Sequence, residues 1–165
     1  LITSRAEPVF GGVYKLSAIE RAGVVQPKMK FSDNAGKITN PGDKELWRFY
    51  DKVTGKALAD LITLAGEVID DSKPYEIFDQ MHTWKRKLLT NYEVRPLLLP
   101  VFSEGKLVHE HKSIEELRSY HAEELDRLWE SIRRFDNPQN YFVDLSQKLW
   151  DLKEKMLFEN NQSNL

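Results

Sequence analysis

His109-Glu110-His111 sets two imidazoles two residues apart. On an extended strand that spacing puts both on one face, where they can ligate a metal. No third ligand stands at an obvious spacing, so the competing reading is an exposed, charged approach to the helix that follows. Trp84-Lys85-Arg86-Lys87, with His82 beside it, is aromatic and basic. Three clustered cations create a local positive field suited to a phosphate or an acidic partner. The plainer reading is a solvated face with Trp84 packed inward. His121 falls on the apolar stripe of a helical pattern and reads as a buried or boundary histidine with a hydrogen-bond partner. Gly11-Gly12 fits a tight strand entry or a close approach of ligand or backbone, and matches no Walker A or Rossmann fingerprint. Asp51, Asp60, Asp70 and Asp71 suggest no dyad of defined geometry, and no nucleophile-elbow serine is present. Residue types and spacing alone therefore yield no catalytic constellation.

The elements that must carry these residues change character along the chain. Val13 to Ala18 alternates and predicts a strand, with a turn at Ala22-Gly23. Pro27 to Phe31 alternates again, with Met29 and Phe31 on one face. Ser32 to Gly42 is a loop by its Ser, Asp, Asn and Pro-Gly content, with room for one short helical turn. Glu45–Tyr50 and Lys56–Leu64 predict a hairpin through Asp51 to Gly55, where Gly55 can take positive φ. Tyr75 to Phe78 reads as a strand. Val94 to Phe102 reads as extended because Pro96 and Pro100 oppose helix. Ser103 to Lys106 reads as a tight turn.

At Ser113 the period becomes helical. Ser113-Ile114-Glu115-Glu116 is a capping box. Ile114, Leu117, His121, Leu125, Leu128 and Ile132 then form one stripe of a helix expected to end near Asn137-Pro138. A second helix is expected from Asp144 or Ser146, with Leu145, Leu149, Leu152 and Met156 as its stripe and a frayed end from Asn160.

The chain has 165 residues, enough for one core, with 41% hydrophobic and 30% charged residues. A net charge of −2 argues against a phosphate-coating nucleic-acid binder. The absence of cysteine excludes disulfides, thiolate catalysis and Cys-ligated zinc, and fits a reducing compartment. Apolar runs such as Leu97-Leu98-Leu99 are too short to span a bilayer. The chain opens on Leu1-Ile2-Thr3-Ser4 rather than Met, which is read as the tail of a strand in a longer protein.

Glu7 to Leu16, then Pro27-Lys28-Met29-Lys30, Ser32-Asp33-Asn34 and Lys37 to Gly42 resemble, in that order, the nicotinate phosphoribosyltransferases. The resemblance continues through Trp47 to Asp51, Gly55 to Asp60 and Val94 to Leu98. It is good over residues 1–65, patchier to 105 and weak in the final helices. It implies an enzyme that forms nicotinate mononucleotide from nicotinate and phosphoribosyl pyrophosphate with ATP hydrolysis, in NAD biosynthesis. The pyridine nitrogen would attack the anomeric carbon as pyrophosphate leaves. Mg2+ would neutralise the leaving group, and ATP would be a co-substrate acting through a phosphorylated histidine. That histidine would lie in the upstream barrel and is not His82, His109, His111 or His121.

The resemblance further implies an α+β chain: the last strand of an α/β barrel, a β-rich subdomain and two C-terminal helices. The expected divisions are 1–16 for the barrel end, 17–110 for the β-rich subdomain and 111–165 for the helical region. No catalytic or metal residue is expected in this segment. Thr3 and Ser4 are the residues nearest the ribose 5-phosphate, where their hydroxyls can donate, or else they only finish a barrel strand. A bacterial-type, cytoplasmic homodimer follows by the same analogy, with no nucleic acid or membrane partner and an isolated segment that is inactive. The alternative is a non-catalytic binding or interaction module reusing the β-rich unit, through the Trp84–Lys87 patch.

Overall fold

A computed structural model describes residues 12–163. The chain divides into two compact units: residues 1–43 with 156–165, and residues 44–155. The expectations for Thr3, Ser4 and Gly11 lie outside the described residues.

In the first unit, β1 (Ala18–Arg21) and β2 (Val24–Pro27) pair antiparallel. Ala22 and Gly23 join them with φ of 51° and 74°. Two consecutive positive values are the hairpin turn whose twist matches the strands. The expected strand from Val13 does not form: residues 12–17 carry no regular structure and Tyr14 is exposed. No neighbouring strand among the described residues takes up its backbone, and alternation without a ladder does not make a strand. The alternating Lys28–Phe31 is likewise outside any strand. Its Lys28 amide donates instead to the Ser17 carbonyl (2.8 Å), and the Lys30 amide to Thr39 Oγ1 (2.9 Å). The loop that follows holds one 3-10 turn at Ala35–Lys37, as its composition predicts.

The second unit is built on the predicted hairpin, β3 (Lys44–Asp51) and β4 (Ala57–Leu64). Asp51 Oδ1 closes its turn by accepting from the Val53 and Thr54 amides and the Thr54 hydroxyl, and Gly55 sits at φ 66°. Next come β5 (Tyr75–Phe78), at its predicted bounds, and β6 (Arg86–Leu89), antiparallel to each other. β7 (Tyr92–Pro96) then pairs with β3. β8 (Phe102–Ser103) and β9 (Lys106–Leu107) flank the predicted tight turn at Glu104-Gly105. After the helices α1 (Ile114–Asp126) and α2 (Glu130–Arg133), β10 (Val143–Leu145) adds parallel to β4. The main sheet runs β10-β4-β3-β7. α3 (Gln147–Ser163) ends the described chain.

One face of this sheet is the core. Phe49, Ala59, Leu61 and Tyr92 pack with Ile77 and Leu89 of the β5–β6 hairpin. Phe49 is the hub: its ring lies 4.8 Å from Tyr92 and 5.5 Å from Tyr75. Tyr92 also donates its hydroxyl to the carbonyls of Asp70 and Lys73, tying down the loop before β5.

The helical region keeps some of the expected features and departs from others. The capping box forms as predicted, with Ser113 and Glu116 bonding reciprocally. The helix it starts stops at Asp126, well short of Asn137. The cause is competition for its last carbonyls: the Ala57 amide donates to Arg127 O (2.7 Å), and Lys56 Nζ donates to Asp126 O. Carbonyls engaged by β4 and the residue before it give the chain an anchored end there, and Trp129 is extended. The short α2 follows, so there are three helices rather than two. Of the two starts expected for the last helix, Asp144 lies in a strand and Ser146 is the one that holds. The helix begins after Ser146, whose hydroxyl accepts from the Leu149 amide (3.2 Å) as an N-cap. α3 also continues past Asn160 to Ser163 instead of fraying.

Candidate functional site

The sheet face opposite the core carries a row of charge. β3 alternates, so Phe49 points to the core and Arg48 to the other side. Arg48 stands opposite Asp60 on β4 and Arg95 on β7. It grips Asp60 at two points, Nε to Oδ1 at 2.7 Å and Nη2 to Oδ2 at 2.8 Å. Tyr141 donates its hydroxyl to the same Oδ1 (2.9 Å). Arg48 is held strongly in its charged form, first by the hydrogen bonds to Asp60, against the opposing effect of burial. Burial pushes the Tyr141 hydroxyl far above the ordinary tyrosine value, with the Asp60 charge adding to it.

Beside this pair, α1 delivers Glu124 to the sheet. Glu124 accepts from Arg95 Nη2 (2.9 Å) and the Tyr50 hydroxyl (3.2 Å), and lies 3.4 Å from Arg48 Nη1. The Tyr50 ring is flanked by the guanidinium groups of Arg95 and Arg127, at 4.9 and 5.2 Å from its centroid. Burial pushes the Glu124 carboxyl up, but the Arg95 hydrogen bond and charge outweigh it and hold it below its ordinary value. Burial raises the Tyr50 hydroxyl above its ordinary value, so it stays neutral. Tyr50 and Tyr141 are thus held neutral, and Glu124 and Arg48 charged. The chemistry of this network is fixed charge: it locks α1 to β3, β4 and β7.

The residues singled out by sequence are scattered. His109 and His111 have ring centroids 6.3 Å apart, and both lie outside any strand. Among the described residues no group of three or more His, Cys, Asp or Glu side chains is placed to hold a metal ion. His121 is exposed, which corrects the buried or boundary reading: α1 buries none of its residues. Trp84 is 74% exposed rather than packed inward, with its ring edge-on to His82 at 5.1 Å. The basic residues beside it run into β6, a strand the sequence reading missed because its Arg86-Lys87 start breaks the apolar pattern. The four aspartates form no dyad, as expected. Asp51 caps a turn, Asp60 pairs with Arg48, Asp70 with Lys73 and Asp71 with Lys52.

Tyr50 and Arg95 fall within stretches that carry the family resemblance, but neither they nor Glu124 stood out in the sequence as site residues. Only the register of β3 with β7 and the placement of α1 bring them together.

Residues 43–153 match the family model for the nicotinate phosphoribosyltransferase C-terminal domain. The chain belongs to that family. The match runs through α1, α2 and into α3, where the resemblance of individual motifs was weakest. A nicotinate phosphoribosyltransferase of Bacillus subtilis (strain 168) is 34% identical over 159 residues, covering 96% of this chain and 32% of the relative. A human protein of the same name is 30% identical over 154 residues, covering 90% of this chain and 27% of the relative. The crystal structure of human nicotinic acid phosphoribosyltransferase superposes with a TM-score of 0.69 at 27% identity, over 81% of this chain and 26% of that one. The chain thus spans between about a quarter and a third of the length of these curated relatives. As a nicotinate phosphoribosyltransferase C-terminal domain, it carries the α+β arrangement of the human structure, with its charged row on the sheet face away from the core.

Proposed function

We propose that the chain is the C-terminal part of an enzyme that forms nicotinate mononucleotide from nicotinate and phosphoribosyl pyrophosphate with ATP hydrolysis, within NAD biosynthesis. The observation that carries this is the family match over residues 43–153, joined by 34% identity to a relative of that name across 96% of the chain. Likeness over the strands and the helices together speaks against a separate module that reuses the β-rich unit alone.

In this reading residues 1–16 close the catalytic barrel, 17–110 form the β-rich subdomain and 111–165 the helical region. Thr3 and Ser4 stand nearest the ribose 5-phosphate, with hydroxyls that donate to its oxygens. The described residues offer no carboxylate or imidazole cluster suited to magnesium. By the family resemblance the Mg2+ and ATP sites are proposed to lie in the upstream part of the longer protein, and no step is drawn through them here. The described segment acts as a scaffold braced by the Arg48–Asp60 and Arg95–Glu124 pairs. The enzyme is proposed to work in the cytoplasm as a homodimer. Among the described residues no helix is long and apolar enough to cross a membrane.

The test is an assay of the full-length protein with phosphoribosyl pyrophosphate and either nicotinate or nicotinamide, with and without ATP. Nicotinate mononucleotide should form, and ATP should stimulate it. No mononucleotide from either base would overturn the proposal, as would its formation by the 165-residue segment alone for the claim that this part is inactive by itself.

A further inference from the structure

Residues 98–123 are ordered yet exposed: within this stretch only His109 is partly buried. The stretch departs from the core sheet after Leu97, whose amide still donates to Leu46 O (2.8 Å), and is next held there through Glu124. Between these points its backbone is bonded locally. The β8–β9 hairpin turns through Glu104 and Gly105 at φ 49° and 75°, and the Val108 and His109 amides both donate to Val101 O (2.9 and 3.3 Å). The Ser113 capping box then starts α1.

The side chains do not match that exposure. Phe102 pairs with Leu107 across the hairpin, on one of its faces, and Phe102 is 66% exposed. Val101 and Val108 stand one position along, and so on the other face, each about half exposed. A hairpin lying on its own domain keeps an apolar face covered and a polar face wet. This one turns apolar side chains to solvent on both faces. A two-stranded hairpin with nothing against it is marginal in water. The approach to it, Leu98 and Leu99, is exposed as well, and so is the start of the α1 stripe, where Ile114 is 71% exposed.

Single exposed apolar residues are ordinary, but a concentration of this kind marks a contact surface. Interfaces this apolar belong to permanent partners. The permanent neighbour of this domain is the rest of its own polypeptide. The match to the Bacillus subtilis relative takes up 96% of this chain and 32% of that one, which leaves about two thirds of such a protein beyond the match. Joined in one chain, the two parts stay at high effective concentration however dilute the protein, whereas a second copy covers the surface only while the pair holds together. We propose that the β8–β9 hairpin inserts into an apolar groove of the upstream part of its own polypeptide, with Leu98, Leu99, Ile114 and Leu117 extending the contact. The inference rests on the reading of the chain as the C-terminal part of a longer enzyme. Turnover of nicotinate decides that reading, and a contact decides this one.

The experiment is photo-crosslinking of the full-length protein carrying Phe102→p-benzoylphenylalanine, with Val68→p-benzoylphenylalanine as control. Val68 is 91% exposed and lies outside the stretch. The Phe102 variant should give a product of single-chain mass, linked to a peptide upstream of residue 1, at a yield at least about tenfold above the control, because linkage needs side-chain contact. A yield no higher than the control, a link confined to residues 1–165, or a product of twice the chain mass would each overturn the proposal. The last would give the surface to a second copy. If the added ring prevents folding, hydrogen exchange of the unmodified full-length protein decides. Amides of 101–108 should exchange at least about a hundredfold slower than in a free peptide, which an uncovered hairpin cannot achieve, and the slowing should survive dilution. Unslowed exchange, or slowing lost on dilution, would overturn the proposal equally.

Discussion

Arg48 and Asp60 face each other across β3 and β4 in a two-point ion pair, with both contacts under 3 Å (2.7 and 2.8 Å). The Asp60 side chain is 9% exposed and that of Arg48 22%. Removing one partner of such a pair leaves the other charge poorly solvated, which in buried cases costs about 3–5 kcal/mol. The partial exposure of Arg48 lowers that to roughly 2–4 kcal/mol for Asp60→Ala. Tyr141→Phe deletes only one neutral donor to Asp60 and should cost about 1 kcal/mol. Urea denaturation should rank the two variants in that order. Equal losses would mean the ion pair adds nothing beyond a single hydrogen bond.

Glu124 is the polar anchor of a helix that buries none of its residues. Glu124→Ala should therefore act locally. Hydrogen exchange across 114–126 should speed up about tenfold or more, for an anchor worth roughly 1.5–3 kcal/mol as charge-assisted hydrogen bonds. Exchange in the core strands around Phe49 and Leu61 should stay close to wild type. The sign with pH follows from the depressed carboxyl. Its contribution is present above the ordinary glutamate range and is lost as pH falls through the lower folded value. A helix whose exchange ignores both the substitution and acidification would show that Glu124 does not hold it.

How much of this was legible beforehand depended on how local the determinants are. The β3–β4 hairpin and β5 announce themselves through alternation and turn chemistry, and the Ser113 capping box through four adjacent residues. The early end of α1 was not legible, because the groups that take its last carbonyls, Lys56 and Ala57, come 70 residues earlier. β10 was hidden for a related reason. Three residues immediately before a helix look like its first turn, and only pairing with β4 makes them a strand. Of the candidate site, the residue types were visible but the convergence of Tyr50, Arg95 and Glu124 was not, since it depends on the register of β3 with β7. The family, by contrast, was readable from ordered motifs without knowing any contact.

Ser146 caps α3 from a buried position and also donates to Glu67 Oε1 (2.7 Å), an oxygen that accepts from the Leu64 amide as well. Ser146→Ala removes the cap and one donor to Glu67 together. It should cost about 2 kcal/mol, at the upper end of N-cap losses. Ser113→Ala, at an exposed cap, should cost nearer to about 0.5–1 kcal/mol. Thermal melts of the two variants should separate accordingly. Indistinguishable melting temperatures would remove the role given to the Glu67 bond.

Asp144 should make stability depend on pH in the direction opposite to Glu124. Its carboxyl is pushed up to about 6 by burial first and the Asp79 charge second, so the folded protein binds its proton more tightly than the unfolded chain does. Folding is then favoured by protonation, and stability from this group falls as pH rises from the ordinary aspartate range through about 6. The size is roughly 1–3 kcal/mol, since each pH unit of difference is worth about 1.4 kcal/mol and relaxation or water reduces the full value. Asp144 is only 4% exposed, and its Oδ2 has no hydrogen-bond partner among the described residues. The other charged residues lining the cleft beside it are Asp79, Lys85, Arg86 and Lys87. Denaturation midpoints at pH 5 and pH 7.5 should therefore differ less in Asp144→Asn than in wild type, with the variant gaining mainly at the higher pH. If the two proteins show the same pH dependence, the unpartnered Asp144 oxygen has found a donor in solution, and the strain assigned to it is absent.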